Sequence, residues 1–128
     1  MRTFALKGKV FTGEGSGKKY LSLPWVKQQI EEKLGYTPFV GTLNLRLTEE
    51  SVEQQKQFKT LKAIIISPKV GYCVGMLLKA RIHGVDCAVV LPQVEGYPKN
   101  VLEIIASVNL RERLKLKDED TISVTVEA

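Results

Sequence analysis

Six or seven short apolar segments, separated by turn-forming residues, constrain the fold of this chain more than any other feature. Segments that alternate between apolar and polar residues predict half-buried β-strands. The predicted strands are residues 3–12, 41–47, 61–66, 73–82, 85–91, 101–106 and 121–127. Because they do not alternate with helices, an open βαβ sheet is not expected. A small closed β-barrel fits the pattern better.

One clear helix is predicted between the first two strands. Ser22 is a possible N-cap, Pro24 suits the first turn, and Gly35 is expected to end the helix. Its apolar face comes from Val26, Ile30 and Leu34. Residues 48–60 predict a short surface helix or loop, and Leu110 to Leu114 predict one helical turn.

Length and composition favour one domain over residues 1–128, of which 44% are hydrophobic. No apolar run approaches the roughly 20 residues of a membrane span, and no signal peptide is predicted at Met1. We therefore expect a cytoplasmic protein, with a monomer as the default. Cys73 and Cys87 do not form a zinc or disulfide pattern and are expected to be small core residues, and His83 precedes Gly84 in a predicted hairpin turn.

A glycine-rich segment after the first strand predicts an anion site. Its residues are Gly13, Glu14, Gly15, Ser16, Gly17, Lys18, Lys19 and Tyr20. Glycines permit positive φ angles and a concave array of N–H groups, and lysines attract phosphate. The spacing matches neither a Walker A loop nor a dinucleotide fingerprint. A flexible hairpin connection is therefore an equally good interpretation of this segment alone.

Thr42 and Asn44 lie two residues apart on a predicted strand, so their side chains share one face while Leu43, Leu45 and Leu47 fill the other. Hydroxyl and amide oxygens suit Mg²⁺, which takes its other ligands from water and phosphate. We expect the glycine-rich segment and this strand to hold a nucleoside triphosphate with Mg²⁺ between them. The simpler alternative is a half-buried strand with a polar outer face.

The net charge of +5 is concentrated near the N-terminus, where residues 1–20 hold five basic residues and one acidic residue. Such a region attracts polyanions, although it also fits an ordinary solvated surface. With 7% aromatic residues and no aromatic-basic interleaving, nucleic acid is not an expected partner.

An ordered set of motifs resembles the archaeal CTP-dependent riboflavin kinases. The motifs are Gly8-x-Val10, Gly13-x-Gly15-x-Gly17, Leu34-Gly35-Tyr36-x-Pro38, Gly41-Thr42-Leu43-Asn44, Leu102-Glu103-Ile104-Ile105-Ala106 and Asn109-Leu110-Arg111. The resemblance implies a mainly β, six-stranded cradle-loop (RIFT-like) barrel with one main helix. It also implies transfer of the CTP γ-phosphoryl group to riboflavin, giving FMN and CDP. Some relatives carry an N-terminal winged-helix domain, which is not expected here.

The same resemblance implies roles for individual residues. Gly13 to Lys18 would line the CTP phosphates, and Thr42 and Asn44 would hold Mg²⁺. The residues Val108, Asn109, Leu110 and Arg111 would contact the nucleotide. Glu103 would contact the flavin near the reacting hydroxyl, either as a general base or as a hydrogen-bonding ligand. Arg111 is also compatible with a surface ion pair, and Glu112 and Asp118 are expected to be solvated.

Two departures from the family pattern concern the flavin side. Glu95 stands where the family usually has a flavin-contacting threonine, so its carboxylate is expected either to repel the product phosphate or to face solvent. Ala106-Ser107 replaces the usual Ala-Pro. A non-catalytic nucleotide or flavin sensor is therefore an alternative, and a small DNA-binding barrel is a weaker one.

Overall fold

The computed structural model describes residues 2–13, 15–72, 74–91, 93 and 96–128. The strands are β1 Thr3–Phe11, β2 Leu43–Leu47, β3 Ile64–Ile66, β4 Gly75–Ile82, β5 Val85–Leu91, β6 Val101–Ala106 and β7 Thr121–Glu127. The helices are α1 Ser16–Leu21, α2 Pro24–Leu34, α3 Glu49–Gln55 and α4 Leu110–Arg113, and a 3-10 turn spans Lys56–Thr60.

Six antiparallel strands close into a barrel. They follow the order β4-β5-β6-β2-β1-β7, and β7 pairs back onto β4 to complete the circle. The short strand β3 extends the sheet beside β4. This arrangement confirms the predicted mainly β, six-stranded barrel and adds one strand outside it.

Two apolar clusters explain the sequence pattern of the strands. The barrel interior takes every second residue of β1 and β7, including Leu6 and Val124, while their neighbours face solvent. The outer face of β4, β5 and β6 is instead covered by α1 and α2, with Ile30 packed near Ile105. Strands covered on both faces read as continuous apolar runs, which is why β5 and β6 do not alternate cleanly.

The main helix forms as predicted, but its start differs in detail. Leu23, not Ser22, is the N-cap and provides no side-chain bond, while Gly35 ends the helix with a φ of 82°. The Ser22 hydroxyl donates instead to the Lys18 carbonyl at 2.6 Å, because a further helix ends there. No described helix has the length and apolar character needed to cross a membrane.

Several element boundaries differ from the sequence prediction. Residues 16–21 form helix α1, where only a loop was predicted, because three glycines obscured the helical segment. Strands β2 and β3 begin two and three residues later than predicted. The hairpin between β4 and β5 is confirmed, with φ angles of 48° at His83 and 78° at Gly84. Cys87 is buried, and Cys73 lies outside the described residues.

Candidate active site

The glycine-rich segment packs directly against Thr42 and Asn44. A Cβ placed on Gly13 would lie 2.4 Å from the Asn44 Nδ2, and one on Gly17 would lie 2.7 Å from the Thr42 Cγ2. The two segments are therefore in contact, as predicted. The predicted reason for the glycines was wrong at Gly13 and Gly17, since positive φ occurs at Gly15, where φ is 85°. The other two glycines make room for the neighbouring strand.

The side-chain oxygens of Thr42 and Asn44 converge at the start of β2. Thr42 Oγ1 lies 3.5 Å from Asn44 Oδ1, and Asn44 is only 9% exposed. Octahedral Mg²⁺ with ligands at about 2.1 Å places neighbouring oxygens about 3 Å apart, so small adjustments fit this pair to one ion. Among the described residues, no group of three or more His, Cys, Asp or Glu side chains offers an alternative metal site.

A cavity of about 440 Å³ opens beside this pair; we call it the polar cavity. Residues predicted to contact the nucleotide or to hold Mg²⁺ line it from three chain segments: Gly13, Gly15 and Lys18; Thr42 and Asn44; and Val108, Asn109, Leu110 and Arg111. Lys18 and Arg111 bring two cations to the cavity, which gives it a character suited to an anion.

Arg111 is held at the rim of the polar cavity by two neighbours. Its Nη2 donates to Asp118 Oδ1 at 2.5 Å and to Thr12 Oγ1 at 3.2 Å. The hydrogen bond from Arg111, with a second from Thr12, holds the pKa of Asp118 below its usual range. Asp118 is exposed, as expected for a solvated charge, but the fold also pairs it with Arg111, which is the surface ion pair left open for that arginine. Glu112 is exposed, as expected.

A second cavity of about 420 Å³ adjoins the first; we call it the apolar cavity. Its walls are mainly aliphatic and aromatic, contributed by Tyr20, Leu21, Ile30, Ile66, Tyr72, Met76, Leu77, Val90, Leu91, Tyr97 and Ile105. Thr42 lines both cavities, and Gly17 lines the apolar one beside it. The junction of the two cavities is therefore at Thr42, whose hydroxyl pairs with Asn44.

Glu103 stands in the apolar cavity next to this junction. It is the register partner of Asn44 between β6 and β2, so the two side chains lie side by side on one face of the sheet. Tyr97 lines the same cavity. Burial, the nearby Glu103 charge and a hydrogen bond to Glu103 raise the pKa of the Tyr97 phenol.

Two tyrosines of the apolar cavity were missed by sequence reasoning. Tyr97 follows a glycine in an irregular loop, and Tyr20 fell within the segment predicted to be a loop. The buried Tyr20 hydroxyl has no hydrogen-bond partner within the described part of the chain, and burial raises its pKa. No sequence pattern marked either residue, since their positions depend on β6 and α1 packing around the cavity.

Some predicted site residues cannot be compared with the structure. Glu14 and Glu95 lie outside the described residues, and for Ser16 only the backbone is described, as the first residue of α1. The nucleotide, metal and flavin roles of the other residues stay predictions, although the fold brings those residues to the two cavities.

Comparison with known proteins identifies the relatives of this chain. A family model with the description "Domain of unknown function DUF120", named for CTP-dependent riboflavin kinases, matches residues 10–126. A riboflavin kinase of Ignicoccus hospitalis is 40% identical over 129 residues, covering 98% of this chain and 72% of the relative. Riboflavin kinases of Archaeoglobus fulgidus and Pyrobaculum aerophilum are 37% and 41% identical, and the chain spans 55% and 60% of their lengths.

The protein is thus a phosphotransferase, the enzyme class to which riboflavin kinases belong. Since the family match extends over nearly all of the barrel, the particular family follows. The chain belongs to the CTP-dependent riboflavin kinase family.

Proposed function

We propose that this chain transfers the γ-phosphoryl group of CTP to the 5′-hydroxyl of riboflavin, giving FMN and CDP. The observation that carries the proposal is the junction of the two cavities. Thr42 lines both of them, and Asn44 lies beside Glu103 in register. With CTP in the polar cavity and the isoalloxazine ring of riboflavin in the apolar cavity, the γ-phosphate and the ribityl 5′-hydroxyl would meet at this junction.

The polar cavity is proposed to bind CTP through charge and backbone donors. Lys18 and Arg111 both line it, and Gly13 and Gly15 contribute backbone without bulky side chains. Phosphoryl transfer depends mainly on positioning and on neutralising the phosphate oxygens, so these groups supply what the reaction needs from the protein. Val108 and Asn109, on the same wall as Arg111, are proposed to contact the nucleotide beyond its phosphates.

Thr42 and Asn44 are proposed to hold Mg²⁺ through their neutral oxygens, which lie 3.5 Å apart. When bound, the ion would neutralise charge on the phosphate oxygens and hold them in place. Neutral ligands suit this task because they leave the full charge of the ion for the phosphates. The close packing of Gly13 against Asn44 and of Gly17 against Thr42 limits the side-chain positions available to both residues.

The apolar cavity is proposed to bind the isoalloxazine ring, with the ribityl chain directed toward Glu103. In the transfer step the 5′-oxygen of riboflavin forms a bond to the γ-phosphorus, and the bond from that phosphorus to the β,γ-bridging oxygen breaks. The Glu103 carboxylate is proposed to accept the hydroxyl proton, and CDP leaves with the bridging oxygen. Tyr97 would orient the Glu103 carboxylate through its phenol.

A donor-by-donor assay tests the proposed function. Riboflavin and Mg²⁺ are incubated with CTP, ATP, GTP or UTP, and FMN is measured by chromatography with fluorescence detection. We expect FMN with CTP at rates well above those with the other donors. Absence of FMN with every donor, combined with tight CDP binding in calorimetry, would replace the kinase with a non-catalytic nucleotide sensor.

Two further expectations concern partners. A monomer is expected in size-exclusion chromatography with light scattering, and no retardation of duplex DNA is expected in a gel assay at low salt. Retardation that weakens steeply with salt would instead support the DNA-binding alternative.

A further inference from the structure

We propose that Asp118 is a positioning residue of the polar cavity, which sets the orientation of Arg111 and thereby the affinity for the nucleotide. The inference rests on the proposed function of that cavity as the nucleotide site. Asp118 itself does not line the cavity, whereas both of its partners, Thr12 and Arg111, do.

One carboxylate joins two walls of the cavity. Thr12 Oγ1 lies 3.0 Å from Asp118 Oδ1 and 3.2 Å from Oδ2, and Arg111 Nη2 lies 2.5 Å from Oδ1. Arg111 also donates to Thr12 at 3.2 Å, which closes a triangle of three side chains. Thr12 follows β1, Arg111 belongs to α4, and Asp118 precedes β7. The triangle therefore ties together segments that are distant in sequence.

The backbone around Asp118 is held on both sides. The Glu119 N–H donates to the Val10 carbonyl and the Val10 N–H donates to the Asp120 carbonyl, both at 2.8 Å. Toward α4, the Leu116 N–H donates to the Arg111 carbonyl at 2.8 Å. The carboxylate is thus presented from a fixed backbone rather than from a free loop, which is what a positioning role requires.

The geometry leaves Arg111 able to bind a ligand while it is held. Among the described residues, its side-chain bonds to Asp118 and Thr12 both use Nη2. A guanidinium has five N–H donors in a planar fork, so the Nε and Nη1 donors stay available to a phosphate or a base. Because an arginine side chain loses much rotamer freedom on binding, holding it beforehand favours affinity.

The test replaces Asp118 with asparagine, which keeps the shape and removes the charge. We expect the KM for CTP to rise by about tenfold, corresponding to the loss of one charge-assisted contact, with kcat and the KM for riboflavin unchanged. Glu112→Gln and Glu119→Gln are matched controls, because they remove exposed carboxylates from neighbouring positions, and neither is expected to change the KM for CTP. An unchanged or lowered KM in Asp118→Asn would overturn the proposal, the lowered value indicating that Asp118 competes with the nucleotide.

A double-mutant cycle establishes that Asp118 acts through Arg111. In an Arg111→Ala background, Asp118→Asn should leave the KM for CTP unchanged, since the group it positions is gone. An equal rise in both backgrounds would overturn the proposal in favour of a general structural effect. Calorimetry of CDP binding to the wild-type protein distinguishes a failure of the proposed function from a failure of the positioning role alone. If the wild type does not bind CDP, the proposed function fails; if it binds and Asp118→Asn binds equally well, only the positioning role fails.

Discussion

Gly13 and Gly17 matter for the side-chain atoms that they lack. Each allows a backbone segment to approach Thr42 or Asn44, at the start of β2, so closely that a methyl group would overlap with it. Glu103 shows the opposite case, because its proposed role depends on the neighbouring strand that places Asn44 beside it. Gly17 and Glu103 therefore each lead to a prediction about one substitution.

Gly17→Ala is expected to displace Thr42, because the new Cβ would lie 2.7 Å from its Cγ2. Overpacking of this kind costs about 1–3 kcal/mol of unfolding free energy, and we expect the KM for Mg²⁺ to rise. Urea unfolding and steady-state assays measure the two effects. Gly35→Ala is the control, since no atom lies within 4 Å of its Cβ position. Gly35→Ala should lower the unfolding free energy by about 1 kcal/mol, because the backbone there is left-handed, and it should leave the KM for Mg²⁺ unchanged. An equal rise of that KM in both variants would contradict the explanation.

Replacing Thr42 and Asn44 together with alanine is expected to lower turnover by at least about 10²-fold, as expected for removal of ligands that position the charge-neutralising ion. The measurement is FMN formation across a Mg²⁺ titration. Thr125→Ala, an exposed position on β7, is the control for losing a hydroxyl elsewhere on the barrel. Wild-type turnover in the double variant, with a normal Mg²⁺ requirement, would refute the metal assignment.

Glu103→Gln is expected to lower kcat by about 10²–10⁴-fold, the range typical of a lost general base, while the KM for riboflavin changes little. Glutamine keeps the size and much of the hydrogen bonding, so the loss reports proton transfer. Steady-state kinetics with riboflavin varied at saturating CTP separate the two parameters. A raised KM with an unchanged kcat would instead make Glu103 a binding residue for the ribityl hydroxyls.

At the scale of elements, the short helices differ in how clearly the sequence indicates them. Helix α2 carries an apolar stripe, a proline at its start and a glycine at its end, so its prediction is confirmed almost to the residue. Helix α1 has six residues and no comparable signal, and it forms because Leu21 packs into the cluster under α2. Helix α3 lies outside the two large cavities and is stabilised locally by its cap.

Thr48→Ala is expected to lower the unfolding free energy by about 1 kcal/mol, the usual cost of losing an N-cap. The Thr48 Oγ1 accepts from the Ser51 N–H at 3.2 Å and donates to the Ser51 Oγ, which in turn accepts from the Lys7 N–H at 2.8 Å. Urea unfolding followed by circular dichroism measures the loss, and kinase turnover should stay unchanged. Thr48→Ser should restore most of the stability; a serine variant as unstable as the alanine variant would contradict the capping explanation.

At the scale of the whole molecule, β7 pairs with both β1 and β4 and so closes the sheet into a continuous barrel. The interior cluster and the outer cluster under α2 share the strands β4, β5 and β6. A change in one cluster is therefore expected to affect the other through those strands. Trp25, on α2, packs against the outer cluster and therefore reports on it.

Leu6→Ala tests this cooperativity, because Leu6 is fully buried in the barrel interior on β1. We expect a loss of about 2–5 kcal/mol, as for other buried leucines, with the Trp25 fluorescence and circular dichroism transitions shifting together. Ala5→Gly, at the adjacent exposed position, is the control for a change in backbone on the same strand. Separate transitions for the two probes would show that the outer cluster unfolds independently.

The sequence by itself determined the elements whose signals are local. Alternating residues specified β1 and β7, the stripe of Val26 and Ile30 specified α2, and His83-Gly84 specified a hairpin, because each depends on neighbours along the chain. The sequence also predicted that the glycine-rich segment and Thr42 would meet, and the structure brings them together.

Only the tertiary structure decided which distant residues stand together. The register of β2 and β6 placed Glu103 beside Asn44, and the turn before β7 placed Asp118 on Arg111. Barrel closure also left the outer face of β6 to be covered by α1 and α2, and Tyr97 lines the apolar cavity beside these elements. The physical reason is that strand register and barrel closure minimise exposed apolar surface over the whole chain, so no short stretch of residues encodes their outcome.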